Sequence, residues 1–326
     1  MKWQLGLVSV IKSSLGLFSK PAQAAAVPEK LEGERVLCEL NLAKPLQANG
    51  KFGSTFKCLN AMDGQWVVVK KLTNSHSIRQ KTLITNEENL STIHTALPGH
   101  IETIFTQKHI YFVKPYHKGM DLKRFLGEHK GSKWHPFYTK LLIKLCEPLM
   151  ALHEKGYYHG DIKPANILLN CEDAYLLTPN SDVDIVLLDV GLARLHNTMG
   201  NWPFTLAYAA PEQVLGFGSL CNGATDMYSL GQVIYECLSG ERMYEDANPE
   251  FVFNRILAEP LNLTAIHNKE LQLFLQKACA KSVLSKPPKA YQKSALIPLL
   301  QEAMAQRFQT PKEFSHQLQF ILKKMG

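Results

Sequence analysis

The sequence predicts an α+β chain in two parts: a small antiparallel β unit carrying one main helix, then a larger, mostly helical unit. Three observations predict it. The runs 36–42, 56–61 and 65–72 read as strands of an antiparallel sheet. In that same region, 78–94 carries apolar residues at helical spacing. Beyond residue 137, stretches such as 137–155 and 225–239 keep the helical period and stop before Gly156 and at Gly240.

Taken in order, residues 1–28 contain Lys2, Lys12 and Lys20 but no acid. Trp3, Leu7, Ile11, Leu15 and Phe18 recur there at helical spacing. Three readings stay open: a helix packed on the next unit, a targeting or peripheral-membrane helix within 1–20, and a cleaved secretory signal. Pro21 and 22–28 read as a linker. The β unit then occupies 29–116. On the 78–94 helix, Leu83, Leu90 and Ile93 share a side, and Glu87 falls on that face between Leu83 and Leu90. Residues 109–113 read as a further strand, leading into Lys114-Pro115-Tyr116-His117.

The helical unit occupies 117–326, with helices expected at 137–155, 225–239, 295–305 and 311–322. Residues 271–301 carry Lys277, Lys281, Lys286, Lys289 and Lys293 without an acid, and Pro287-Pro288 break the middle. This stretch reads as an inserted solvated loop, with a docking site for an acidic partner as the alternative.

Composition excludes several classes. At 326 residues, with 45% hydrophobic and 20% charged residues, the chain is long enough for two parts with a sizeable core. Its seven cysteines are scattered, with no C-x-x-C pair, which argues against a disulfide framework or a zinc site and for a reducing compartment. The charge of +7 is modest and no aromatic-rich basic motif accompanies it, so no nucleic-acid partner is expected. No run reaches the roughly 18 apolar residues of a spanning helix. The expected compartment is cytoplasmic, with membrane association or export to another cytosol left open.

Chemistry concentrates at the ends of two apolar runs. His159-Gly160-Asp161-Ile162-Lys163-Pro164-Ala165-Asn166 leads into Ile167-Leu168-Leu169, and 183–188 ends at Asp189-Val190-Gly191. Read as two short strands, these runs bring Asp161, Lys163, Asn166 and Asp189 to one site. Phosphoryl transfer from ATP needs a carboxylate to orient the attacking hydroxyl, oxygen ligands for magnesium, and a cation near the moving phosphate. The quartet supplies all three.

The spacing H-x-D-x-K-x-x-N followed by D-x-G resembles the catalytic and metal-binding loops of eukaryotic-type serine/threonine protein kinases, in the wording of their bacterial members. The resemblance covers about 36–322. It implies the bilobal protein-kinase fold, ATP and Mg²⁺ as cofactors, and a protein substrate with a Ser/Thr acceptor. It gives Asp161 the role of base, Lys163 charge stabilisation, and Asn166 and Asp189 the metal. Thr205 would bridge Asp161 and Lys163 through its hydroxyl, and His159 would support the loop from below.

The resemblance extends upstream and downstream. Ala48, Gly50 and Gly53 fit the nucleotide loop, with Ala48 at the first glycine position. Trp66-Val67-Val68-Val69-Lys70 fits the strand carrying the nucleotide lysine. Glu87 would hold Lys70, with Glu88 as competitor. Pro115 would offer its carbonyl, and His117 its N–H, to adenine. Ala210-Pro211-Glu212, the helix from Asp226, and an Arg307 paired to Glu212 follow in family order.

Four positions depart from the pattern: Ala48, Lys114 where an apolar residue is usual, Gly160 in place of arginine, and Val190 in place of phenylalanine. The Lys114 stem can pack while its ammonium finds a carboxylate. Gly160 removes the cation that receives a phosphorylated loop, so a phosphate on Thr198 would gain little. The alternatives to an active protein kinase are a pseudokinase scaffold and a small-molecule phosphotransferase of the same fold.

Overall fold

The computed structural model describes residues 38–40, 47–50, 53–60, 63–73, 78–106, 108–196 and 203–325. The expectations for 1–28 and for Thr198 lie outside these residues. Contacts divide the chain into two units. The first holds the described residues up to Thr92 together with Pro98–His117, and the second holds Ile93–Leu97 with Lys118 onward.

The first unit is built on an antiparallel sheet of six strands: β1 (Cys38–Leu40), β2 (Gln47–Gly50), β3 (Gly53–Asn60), β4 (Trp66–Thr73), β5 (Glu102–Phe105) and β6 (His109–Pro115). Their order is β1-β3-β4-β6-β5, with β2 also paired to β3. Alternation sorts the side chains between faces. Val67 and Val69 join Cys58, Ile104, Tyr111 and Val113 in one apolar cluster. The next residues along β4 point the other way, so Lys70 shares the opposite face with Phe112 and Lys114.

One helix, α1 (Ile78–Asn89), accompanies the sheet and stops at Asn89 rather than at 94. The Ser91 hydroxyl donates to the Glu87 carbonyl, and the Gly99 N–H takes the Ser91 carbonyl at 2.9 Å. Local side-chain bonding thus replaces the next helical turn. β6 runs two residues past the expected 113 because Pro115, opposite Val67, sits at the strand end, where no N–H is required of it.

The second unit begins with β7 (Gly119–Asp121), α2 (Leu122–Glu128), α3 (His135–Glu154), β8 (Tyr157–Tyr158), β9 (Ile167–Asn170), β10 (Asp184–Leu187) and β11 (Arg194–Leu195). It continues as α4 (Pro211–Val214), α5 (Gly223–Ser239), α6 (Pro249–Ala258), α7 (Lys269–Ala278), α8 (Lys293–Gln306) and α9 (Pro311–Met325). Its strands form a small β10-β9-β7 sheet and a β11-β8 pair.

Two helices form the centre of this unit. α3 buries Phe137, Leu141, Leu142, Leu145, Leu149 and Leu152 along one stripe. α5 is buried almost all round. Asn222 Oδ1 accepts from the Ala224 N–H at 2.8 Å and starts α5 ahead of the expected Thr225, and Gly240 ends it in the left-handed conformation.

The basic stretch is less of a loop than its composition suggests. α7 takes its first part, and Lys277 pairs with Glu313 at 2.5 Å. Lys281 turns inward, donating to the Arg255 and Ile256 carbonyls at 3.0 and 2.7 Å near the end of α6. Lys286, Lys289 and Lys293 remain exposed. Among the described residues, six cysteines are free thiols, and no helix is long and apolar enough to cross a membrane.

Candidate active site

The β9–β10 hairpin explains how the second unit gathers its polar residues. Ile167 lies opposite Leu187, so Asn166 and the residues after Leu187 emerge at the same end. The Leu188 N–H donates to the Asn166 carbonyl at 2.8 Å and closes that end. The next residue, Asp189, has φ 61°. Aspartate tolerates this left-handed conformation better than most residues, which lets the chain turn sharply.

The loop before β9 is held from beneath. His159 Nε2 donates to the Leu188 carbonyl at 2.8 Å, and its Nδ1 accepts from the Asp161 N–H at 3.3 Å. One tautomer therefore ties this loop to the strand leading into Asp189.

Asp226, fully buried at the start of α5, accepts from the His159 and Gly160 N–H groups at 2.7 and 2.9 Å and lies 2.9 Å from His153 Nε2. Burial alone pushes its carboxyl up. The bond and charge of His153 and the Gly160 N–H outweigh burial and hold it below the ordinary aspartate range. Gly160 itself has φ 76°, and an added Cβ would meet Tyr158 Cε2 at 3.3 Å, so the glycine fits a backbone that larger residues resist. Gln213 Nε2 donates to the Gly160 carbonyl at 2.8 Å and completes the clamp.

Asp161 sits on this platform, buried at 6% exposure. Its Oδ1 accepts from the Thr205 N–H at 2.7 Å, and its Oδ2 accepts from Lys163 Nζ at 2.7 Å. Lys163 Nζ also donates to Thr205 Oγ1 at 2.8 Å. The bridge expected of the Thr205 hydroxyl is thus shared by two atoms. The hydroxyl reaches Lys163 alone, and the backbone amide reaches Asp161. Asn166 Nδ2 donates to the Asp161 carbonyl at 2.9 Å and approaches Oδ2 at 3.5 Å, which turns its Oδ1 away as the acceptor atom.

Asn166 and Asp189, the residues expected to hold a metal, lie at the same end of the hairpin, and the described residues contain no cluster of three His, Cys, Asp or Glu suited to a metal. Few protein oxygens suit Mg²⁺, which keeps waters and phosphate oxygens around it.

The remaining expected residues belong to the first unit. Gly50 of β2 pairs with Gly53 of β3, and Ala48 lies on β2. Lys70 Nζ is 3.9 Å from Glu87 Oε1. Glu87 is fully buried, whereas Glu88 is only half-buried, so Glu87 is the acid that faces the sheet. Lys114 Nζ donates to Glu87 Oε2, which identifies the carboxylate its ammonium finds. Pro115 ends β6, and His117 Nε2 lies 3.0 Å from the Pro98 carbonyl.

Downstream, Arg307 and Glu212 are both buried and joined twice, Nη1–Oε1 at 2.7 Å and Nη2–Oε2 at 3.0 Å. Val190 is fully buried beside Gly191. Sequence reasoning missed Gln213 and the clamping role of Asp226. An acid in the first turn of an otherwise apolar helix was the available signal for Asp226. Gln213 had none.

Comparison with known proteins agrees with this arrangement. The family model described as the protein kinase domain matches residues 48–320. The serine/threonine-protein kinase unc-51 of Caenorhabditis elegans is 29% identical over 56% of this chain and 22% of its own length. Ribosomal protein S6 kinase alpha-4 of Mus musculus is 30% identical over 64% of this chain and 26% of its own. The serine/threonine-protein kinase PknB of Mycobacterium tuberculosis is 28% identical over 57% of this chain and 29% of its own. The chain thus spans under a third of the length of these relatives. A family model that covers most of the chain, over residues so arranged, shows that the chain belongs to the protein kinase domain family.

Proposed function

We propose that the chain is a serine/threonine protein kinase that transfers the γ-phosphoryl group of Mg-ATP to a Ser or Thr hydroxyl of a protein substrate. The observation that carries this reading is the closed Asp161–Lys163–Thr205 arrangement, with Asn166 bonded to the same aspartate. An aspartate bonded to an ammonium and two N–H donors is fixed in place, suited to orienting an acceptor hydroxyl and taking its proton late in transfer.

The substrate oxygen forms the new bond to phosphorus, the bond to the β-phosphate oxygen breaks, ADP leaves, and the proton passes to Asp161. Lys163, bonded to Asp161 and Thr205, would supply the cation for charge on the moving phosphoryl group. Asn166 Oδ1 and the Asp189 carboxylate would hold Mg²⁺, which when bound neutralises phosphate charge. Lys70 and the backbone around Gly50 and Gly53 would hold the phosphates, and Pro115 and His117 the adenine edge.

The test is incubation of the full chain with γ-labelled ATP and a basic protein acceptor, with Mg²⁺ or with excess chelator. Mg²⁺-dependent label on the acceptor supports the reading, and ATP binding without transfer to any acceptor overturns it.

Two variants separate roles within the site. Asp189→Asn removes an anionic oxygen and is expected to raise the Mg²⁺ concentration for half-maximal activity by about tenfold. Identical Mg²⁺ titrations of variant and wild type would remove Asp189 from the metal. Thr205→Ala loses the hydroxyl bond to Lys163 and keeps the amide bond to Asp161. The lost charge-assisted bond corresponds to a fall in rate of about tenfold to a hundredfold, with Thr205→Ser near wild type. Steady-state rates of the two variants measure it, and equal rates for Thr205→Ala and wild type would show that the hydroxyl is not needed.

A further inference from the structure

The stretch between α7 and α8 carries charge that the site does not use. Lys286, Lys289 and Lys293 are exposed, and among the described residues none of them forms an ion pair. From 271 to 301 the chain has no acid to balance them. Glu259, at the end of α6 where this stretch packs, is paired with Arg255 at 3.2 Å.

The stretch is anchored at both ends and closed on itself. Leu284 is buried, and its N–H donates to the Leu257 carbonyl at 2.8 Å. The Ser282 hydroxyl donates to the Leu299 carbonyl of α8 at 2.8 Å. Tyr291 brings its hydroxyl to within 3.1 Å of Ser285 Oγ. The Ala290 and Tyr291 N–H groups donate to the Pro287 and Pro288 carbonyls at 2.8 and 3.1 Å. The two prolines, with φ fixed, stiffen the turn. One ordered loop thus presents all three ammoniums. Lys293 opens α8, whose first turn has no acid and no side-chain cap, so the helix dipole adds to the positive field.

We propose that this loop is a docking surface for an acidic protein segment, one carrying clustered Asp and Glu side chains. The docking is independent of what the protein catalyses. That the docked segment belongs to a phosphorylated substrate rests on the kinase reading above.

Charge and number choose the partner. Three cations are few for nucleic acid, where about 6–10 phosphate contacts are common. They are also few for a membrane surface, where clusters of about 4–8 basic residues are usual. A short acidic segment offers a matching set of carboxylates. Because the loop is already ordered, binding spares the cost of arranging its backbone.

The experiment has two arms, both on the full chain. In the first, fluorescence anisotropy follows a labelled peptide of alternating Glu and Gly. It is titrated with wild type, with the loop variant Lys286→Gln/Lys289→Gln/Lys293→Gln, and with the control Lys123→Gln/Lys133→Gln/Lys140→Gln, which removes equal charge from other exposed lysines. The loop variant is expected to bind about tenfold more weakly, at about twofold per exposed pair. At physiological salt the control should stay within about twofold of wild type. Arginine at the three loop positions should restore binding. Equal affinity of wild type and loop variant, or an equal loss in the control, overturns the proposal. So does loop-dependent binding to phosphatidylserine vesicles or single-stranded RNA with none to the peptide.

In the second arm, a protein acceptor is phosphorylated with and without the Glu/Gly segment fused to it. In wild type the fusion is expected to lower KM by about tenfold and leave kcat unchanged, and in the loop variant the difference should vanish. A KM difference that survives in the loop variant overturns the assignment of the segment to a substrate. If wild type phosphorylates neither acceptor, the kinase reading fails, and the peptide affinities alone decide whether the docking surface exists.

Discussion

Asp161→Asn is expected to lower phosphoryl transfer by about 10²–10⁴-fold, while Mg-ATP affinity stays within about threefold of wild type. The carboxylate accepts from Thr205 on one oxygen and from Lys163 on the other. Asparagine keeps an acceptor for the Thr205 N–H, but it cannot take the acceptor proton and turns an amide donor toward the Lys163 ammonium. The loss corresponds to about 2.7–5.5 kcal/mol of barrier. The backbone clamp from Asp226 and Gln213 remains, so the variant should fold. Initial rates with a saturating protein acceptor, and ATP binding measured on the same preparations, check both halves of the expectation. A rate within threefold of wild type would remove Asp161 from the chemistry.

The second large effect is on stability. Arg307→Met is expected to destabilise the second unit by about 3–5 kcal/mol. Both partners are fully buried and doubly bonded, and Arg307 Nε also donates to the Ala280 carbonyl at 2.9 Å. Removing the guanidinium leaves the Glu212 carboxylate in the interior with the Thr225 hydroxyl, which donates to it at 2.9 Å. A buried anion without its cation is costly, whereas replacing both by apolar groups of similar volume is often close to neutral. The double variant Arg307→Met/Glu212→Leu should therefore recover most of the loss. Urea unfolding of the three proteins is the measurement. A single-variant effect below about 1 kcal/mol would show that the pair is more hydrated than its burial implies.

The parts of the site that the sequence revealed are those set by short-range geometry. Asp161, Lys163 and Asn166 lie within one loop, and a hairpin of two apolar strands carries Asp189 back to its end. Helical period likewise put Glu87, rather than Glu88, on the buried face with Leu83 and Leu90, because that pattern is local.

What was hidden depends on contacts between distant residues. Asp226 reaches the Gly160 N–H across 66 positions, and Gln213 reaches the Gly160 carbonyl across 53. Neither spacing leaves a trace in the chain. Lys114 meets the Glu87 carboxylate across 27 positions, a pairing that spacing along the chain does not identify. The Thr205 amide bond to Asp161 was equally invisible, since any residue has an N–H. Helix ends shifted for local reasons of a different kind. The Ser91 hydroxyl ended α1 early, and the Asn222 cap began α5 early, each by satisfying backbone groups with a side chain.

The most direct measurement of the central claim is the chemical identity of the phosphorylated product. The full wild-type chain is incubated with γ-labelled Mg-ATP and a protein acceptor, and the labelled acceptor is hydrolysed to its amino acids beside an Asp161→Asn control. The account predicts phosphoserine and phosphothreonine from wild type, reduced by at least about a hundredfold in the control. Label recovered only as inorganic phosphate or on small-molecule alcohols, or equal phosphoserine from both proteins, would contradict it.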